Sequence, residues 1–468
     1  MKIRFSKKIE IILLSLILVF AFFIRIYSLG VPPLWVDEAT SAIVAKSILN
    51  NGLPILDSDW LYTSAYFLHY IFAFALLISN SEFAIRFVSV IFGLLTIVLA
   101  FFIGKEYSKS AGLISALFFA IFYLEVFFSR QSRYYQLFQL TFFLSLYLLY
   151  KSKENPKYIY FAIISLFVAI DTHLEALVLA PFFIIHILYF SRKQWFLSAL
   201  PAIPLFKKLT SVSRLSTGSA NVVSNYASKY FSYTSNMLYL LILFVSGVII
   251  GFSNNRRLTL TIIIPALITL IGIFSLETFA LRYAYFFIFP ILLYSAVLFA
   301  FLYDKYGNIV LIPLFLIVVI PSNLFFPHTY VNVIKPIDYN FNDFTAPYTD
   351  YNNVSGEIIL ELRSDVPLIS YFSSDVEWYI RKPDFVLPFS LDGRGEDQIS
   401  VNNSKGKLVD RYSGALILKE IPGGPYNLIA DTFSIVKLKP SQKELFENLT
   451  ESCSIEYESV DLKIYFCN

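Results

Sequence analysis

The sequence predicts a polytopic α-helical membrane protein that ends in a small α/β domain. Three observations predict it. Hydrophobic residues make up 57% of the 468 and charged residues only 15%, too little polar surface for a soluble chain of this length. Apolar spans recur through the first two thirds of the chain. Charge then divides it: residues 1–320 hold 24 of the 37 Lys and Arg but 13 of the 34 Asp and Glu, leaving 13 against 21 in residues 321–468. A basic membrane part, 1–320, is thus joined to an acidic and less apolar domain, 321–468.

A basic run from Lys2 to Lys8 precedes the first apolar span, Ile9 to Ile26. The span is near the ~20 residues that cross a bilayer, and no small-residue cleavage site follows. It reads as a retained helix with a cytoplasmic N-terminus. Residues 28–83 are mixed, with one apolar run from Tyr62 to Ile78. If that run crossed, the later basic links would alternate onto the wrong side, so it reads as a juxtamembrane helix in the first exterior loop.

Spans follow at 84–103, 111–128, 134–150, 158–171, 175–190, 195–206, 236–252, 258–275, 283–303 and 308–320. The links expected in the cytoplasm carry Lys105 and Lys109; Lys151, Lys153 and Lys157; Arg192 and Lys193; Arg256 and Arg257; and Lys305. That ladder gives about eleven transmembrane helices with the C-terminal domain outside. Arg130, Arg133 and Arg282 break the ladder, as do Lys207, Lys208, Arg214 and Lys229 in loop 207–235. Cations held outside against the usual bias suggest an anionic partner such as a lipid phosphate.

In the tail, 357–362, 415–418, 434–438 and 463–466 read as strands and 375–380 as a short helix, with turns at 392–395 and 422–425. Three Asn-x-Ser/Thr triplets, at Asn353, Asn402 and Asn448, fit an exterior location. The only two cysteines, Cys453 and Cys467, suggest a disulfide in an oxidising compartment.

The residues that can carry chemistry are few. Asp37 and Glu38 follow Pro32-Pro33-Leu34-Trp35-Val36 just beyond the first span. Adjacent acids are usually solvated surface, but few carboxylates lie outside the tail, and a pair at the membrane surface can supply a general base. Arg133 stands beside Tyr134 and Tyr135, and Arg282 beside Tyr283. An Arg at a helix end often only snorkels; here each can instead neutralise a phosphate, with Tyr135 donating a hydrogen bond. Arg86 can be structural or catalytic. His173, a lone histidine between two spans, is more often structural than a ligand. No His-x-x-His or cysteine cluster indicates a dedicated metal site.

These residues carry a resemblance. Trp35-Val36-Asp37-Glu38-Ala39 resembles the first-loop acidic signature of the GT-C glycosyltransferases, above all the branch with protein O-mannosyltransferases and the lipid A aminoarabinose transferase. The segment from Asn80 through Ser81-Glu82, Arg86 and Ser89 to Gly93 is similar to a second block of that branch. Ser129 to Tyr135 resembles a third block, and Thr172-His173 and Arg282-Tyr283 to Pro290 also match. The likeness runs over roughly residues 25–295 in order. It implies a GT-C-like fold with juxtamembrane helices in the first loop, Asp37 as general base, and Arg133, Tyr135, Arg282 and Tyr283 at the phosphate of a polyprenyl-phosphate-linked sugar. Trp35, Arg86, Gln131 and His173 would line the pocket. One departure stands out: Gln131 occupies a position where many relatives have Glu, so an acid for a divalent metal or the acceptor is missing there unless Glu125 replaces it.

The expected activity is transfer of a sugar from polyprenyl phosphate (dolichyl or undecaprenyl) to a hydroxyl-bearing protein, glycan or lipid acceptor on the exterior face, with inversion. Neither a nucleotide cofactor nor nucleic acid is among the expected partners; membrane lipids are. The rival is a transporter or flippase for a polar lipid that uses the same charges only to bind.

Overall fold

The computed structural model describes residues 6–190, 192–203, 238–274 and 281–310, and parts of 362–467. Its helices are α1 (Lys7–Ile26), α2 (Val36–Asn51), α3 (Tyr66–Ile78), α4 (Glu82–Lys105), α5 (Lys109–Ile121), α6 (Tyr123–Phe128), α7 (Tyr135–Lys151), α8 (Tyr158–Thr172), α9 (Leu179–Phe190), α10 (Leu238–Phe274), α11 (Ile288–Tyr306), α12 (Ser373–Tyr379) and α13 (Pro440–Thr450). The strands are β1 (Leu368–Ser370), β2 (Phe385–Val386), β3 (Ser400–Asn402), β4 (Leu408–Asp410), β5 (Leu416–Ile417), β6 (Tyr426–Asp431), β7 (Cys453–Glu458) and β8 (Leu462–Cys467). Loop 207–235, span 308–320 from residue 311 on, the expected strand 357–362 except Leu362, the expected strand 434–438, the 392–395 turn and Asn353 lie outside the described residues.

The sequence divides the chain once, near residue 320. Its contacts group Met1–Leu29 with Arg86–Pro336 as one compact unit, and Gly30–Ile85 with Ile337–Asn468 as another. The first loop is therefore grouped with the tail.

In the helical unit, four helical stretches among the described residues are long and apolar enough to cross a membrane: Lys7–Ile26, Glu82–Lys105, Leu240–Ile273 and Arg282–Tyr306. Shorter apolar helices accompany them. Two expected spans, 236–252 and 258–275, are merged in α10, which breaks at Asn255 (φ −147°, ψ 75°). The Asn255 side chain supplies the cap for the second half, its Oδ1 accepting from Leu258 N–H at 3.2 Å. The expected span 111–128 is likewise split, at Phe122 between α5 and α6. Helix α10 packs on α11 through Gly247 and Gly251, where a Cβ at either position would collide with Tyr294.

Two arginines tie this unit together through helix ends. Arg25 of α1, fully buried, donates to the carbonyls of Phe119 and Ala120 at 2.9 Å each, closing the end of α5. Arg130 returns the favour, donating to the carbonyls of Arg25 at 2.7 Å and Tyr27 at 2.8 Å at the end of α1. A guanidinium suits a helix C-terminus, where carbonyls lack partners and the dipole is negative.

The second unit holds an eight-stranded mixed sheet in the order β3-β4-β5-β2-β1-β6-β8-β7. Strands β5, β2, β1 and β6 run parallel and the outer ones antiparallel. Parallel strands need cover on both faces. Phe446 and Leu449 of α13 pack with Leu428 and Tyr465 on one face, and Val376 of α12 with Leu368, Ile429 and Ile464 on the other. Cys453 and Cys467, paired in register across β7 and β8, form a disulfide.

The first loop folds onto this domain's short helix. Leu34 N–H donates to Tyr379 Oη at 2.6 Å, Thr40 Oγ1 to Ser374 Oγ at 3.0 Å, and Trp378 Nε1–H to Glu82 Oε1 at 3.2 Å. Lys46 Nζ sits 3.8 Å from the centre of the Trp378 ring, and Lys382 pairs with Asp57 at 2.6 Å. Helix α3, of 13 residues, is only about 20 Å long and too short to cross. It buries Leu68, Phe72 and Leu76 while exposing Phe67, Phe74, Leu77 and Ile78, the one-sided pattern of a helix lying at an interface.

Glu377 lies in the same cluster. Burial first, then the nearby Asp57, pushes its carboxyl up to about 7, with Asp410 acting the same way and Lys382 and Lys46 opposing. The folded chain thus holds this proton more tightly than the unfolded one. The associated stability is fully present below the ordinary carboxyl value of 4.5 and is lost as pH rises through about 7. Between pH 5 and 8 this group should cost on the order of 2 kcal/mol. Thermal unfolding of the full chain at both values checks it: Glu377→Gln should melt higher than wild type at pH 8 and close to it at pH 5.

Candidate active site

Three links of the helical unit meet around one histidine. The first is the turn between α6 and α7, residues 129–134, whose side chains are nearly all buried. Ser129 N–H and Arg130 N–H bond back to the carbonyls of Glu125 and Phe127, winding the chain tightly before α7 starts at Tyr135. The second is the end of α8, which stops at His173 because that residue turns to extended backbone (φ −149°, ψ 131°). The third is the 3₁₀ stretch Leu281–Phe287 leading into α11.

A run of contacts joins them. The Arg133 guanidinium lies 4.9 Å from the Tyr134 ring centre, and that ring lies 5.4 Å from His173. His173 in turn lies 5.9 Å from the Tyr283 ring, over which Arg282 sits at 5.6 Å. Tyr135, 3% exposed, packs on Tyr134 at 4.6 Å and on Phe128 at 5.5 Å. Arg133, Arg282, Tyr135, Tyr283 and His173 therefore form one neighbourhood, although about 150 residues separate its ends.

Burial, aided by the Arg133 charge, pushes the His173 imidazole down to about 3. The Glu175 carboxylate touching Nδ1 favours the proton on that nitrogen. The ring is wedged between two Arg–Tyr pairs.

Other sequence candidates have different roles. Arg130 was expected to face an anion; its guanidinium instead caps α1, because the carbonyls of that helix end lie within reach. Arg86, 2% exposed, donates to the Leu29 carbonyl at 3.1 Å. Glu125 is held inside the helices, accepting from Gln139 Nε2 at 2.9 Å, and the single Tyr285 hydroxyl proton lies between Glu125 Oε2 at 2.8 Å and Gln136 Oε1 at 2.7 Å. Sequence reasoning missed that network, although Gln136 and Gln139 within an apolar span were the signal for it. Gln131 is 2% exposed, and both polar atoms of its amide lack a partner among the described residues.

Asp37 and Glu38 belong to the other unit, in the first turn of α2, where a helix N-terminus favours carboxylates. Asp37 is half-buried and Glu38 fully buried. Trp35, 1% exposed, precedes the helix as its N-terminal boundary residue. Among the described residues no group of three His, Cys, Asp or Glu side chains is arranged to hold a metal ion.

Comparison with known proteins supplies the wider setting. Residues 64–213 match the family model of dolichyl-phosphate-mannose-protein mannosyltransferase. No curated protein sequence matches the chain. Among solved structures, ArnT from Cupriavidus metallidurans bound to undecaprenyl phosphate is similar at 12% identity, with 98% of each chain covered and a TM-score of 0.63. The Archaeoglobus fulgidus oligosaccharyltransferase in complex with zinc and sulfate is similar at 13% identity, with 90% of this chain and 68% of that one covered and a TM-score of 0.53. The archaeal oligosaccharyltransferase AglB from Archaeoglobus fulgidus, in complex with an inhibitory peptide and a dolichol-phosphate, is similar at 12% identity over 90% and 69% of the two chains, with a TM-score of 0.54. The likeness of sequence covers residues 64–213, and the likeness of fold runs over nearly the whole chain: it shares the fold of ArnT and of the archaeal oligosaccharyltransferase.

Proposed function

We propose that the chain transfers a sugar from a polyprenyl phosphate to a hydroxyl-bearing acceptor at the exterior membrane surface. The observation that carries the reading is the Arg133–Tyr134–His173–Tyr283–Arg282 run, which gathers two guanidiniums from distant links into one neighbourhood. A sugar–phosphate–prenyl diester carries one negative charge, and the prenyl phosphate that departs carries two. In the transfer, Asp37 takes the acceptor's hydroxyl proton while that oxygen bonds to C1 of the sugar. The C1–O bond to phosphate breaks, and its electron pair leaves with the lipid. Arg133 and Arg282 then meet the extra charge as it forms, which is where fixed cations lower a barrier most.

The polyprenyl donor is supported by the family model and by the similar structures, ArnT bound to undecaprenyl phosphate and AglB in complex with a dolichol-phosphate. An exterior site follows from the basic links, which favour a cytoplasmic N-terminus and an outer first loop. Gln131 offers a donor and an acceptor in place of the relatives' Glu, a neutral hold suited to hydroxyls.

The test is to incubate membranes containing the chain with a panel of radiolabelled polyprenyl-phosphate sugars. One sugar should pass into a macromolecular fraction, with release of unlabelled lipid phosphate. Movement of intact labelled lipid between leaflets, with no sugar transferred from any donor, would identify a transporter instead.

A further inference from the structure

A second set of cations stands at the opposite end of the helices from Arg133, with an apolar pocket beneath it. The pocket, about 180 Å³, is lined by Leu146 and Leu149 of α7, Phe182, Ile185 and Phe190 of α9, and Pro265 of α10. Apolar walls of this kind do not hold water and instead take hydrocarbon. Two polar side chains reach the lining, and both have partners: His186 Nε2 is 2.9 Å from Ser152 Oγ, and Thr261 Oγ1 donates to the Arg257 carbonyl at 2.8 Å.

Two cations frame the mouth. Lys153 Nζ lies 5.1 Å from the Phe190 ring centre, and the Arg257 guanidinium lies 5.5 Å from the same ring. Arg257 also donates to the Tyr150 carbonyl at 3.2 Å, which holds it in place. The neighbouring acids are taken: Glu106 and Glu154 both pair with Lys151, at 3.3 and 2.5 Å. Among the described residues neither Lys153 nor Arg257 has a carboxylate partner. Charge, pocket and aromatic rim thus match one kind of molecule, with hydrocarbon below and a negative headgroup above.

We propose that this pocket seats one chain of an anionic membrane phospholipid, whose phosphate is held between Lys153 and Arg257. Such a lipid would bridge α7, α9 and the second half of α10 just past the break at Asn255. It would be a resident of the leaflet at the basic end of the helices, separate from the donor neighbourhood around His173.

Native mass spectrometry of the full chain in detergent tests this with three probes: phosphatidylglycerol, phosphatidylcholine with the same acyl chains, and inorganic phosphate. One phosphatidylglycerol should bind at least about fivefold more tightly than phosphatidylcholine, since a cation near the headgroup is worth roughly a factor of five. Lys153→Ala, at an exposed position, should lower phosphatidylglycerol affinity about fivefold and leave phosphatidylcholine unchanged. Ile185→Trp, which fills the pocket, should weaken phosphatidylglycerol while the melting temperature shows the chain folded. Equal retention of the two lipids, or no effect of Lys153→Ala, overturns the proposal. So does inorganic phosphate displacing the lipid at millimolar concentration, since the hydrocarbon seat would then contribute nothing.

Discussion

Asp37→Asn is expected to lower the rate of sugar transfer by about 10²–10⁴-fold while leaving donor affinity within a few-fold of wild type. The amide keeps the shape of the carboxylate and its place in the first turn of α2, but it cannot accept the acceptor's proton. Because the substitution spares the donor contacts assigned to Arg133 and Arg282, the loss should fall on kcat. Steady-state transfer measured against donor concentration separates the two. Transfer near the wild-type rate would remove Asp37 from the role of base. Glu38 provides the contrast. It is fully buried, so Glu38→Gln should act mainly through the stability of α2, read in the unfolding temperature.

Arg133→Ala is expected to lower kcat/KM for the donor about 10²–10³-fold, the usual consequence of deleting one preorganised partner for developing charge. Arg133→Lys should recover part of it. Lysine restores the charge but not the planar guanidinium that lies over Tyr134, nor its paired donors. A structural role alone predicts a different pattern: reduced yield or melting temperature, with kcat/KM per folded molecule unchanged. Transfer assays on detergent-purified variants, normalised to folded protein, distinguish these outcomes. Arg282→Ala should resemble Arg133→Ala, because both guanidiniums border the same histidine through Tyr134 and Tyr283.

Most helices were legible because long apolar runs flanked by basic links have few other solutions. The juxtamembrane reading of Tyr62–Ile78 came from the charge ladder rather than the run itself, and α3 is indeed too short to cross. Helix breaks were not legible. Phe122 and Asn255 interrupt apolar stretches whose composition does not change there. The arginines were only half legible, since Arg130 and Arg133 are three residues apart in one turn and their chemistry looks alike in sequence. What separates them is the exposed end of α1, which claims Arg130. The attachment of the first loop to the tail left no sequence trace at all. It rests on single contacts such as Leu34 to Tyr379, made by residue types common at any surface.

That attachment has a consequence for how the chain is made. Leu34 and Tyr379 are 345 positions apart, so at ordinary synthesis speeds roughly 15–70 s pass between emergence of the two. During that interval α2, with its acidic first turn, has been delivered without the helix that secures it. The chain would therefore secure its acidic helix only after α1 to α11 have been made, and a ribosome that stops before Ser373 would leave those helices with α2 unsecured.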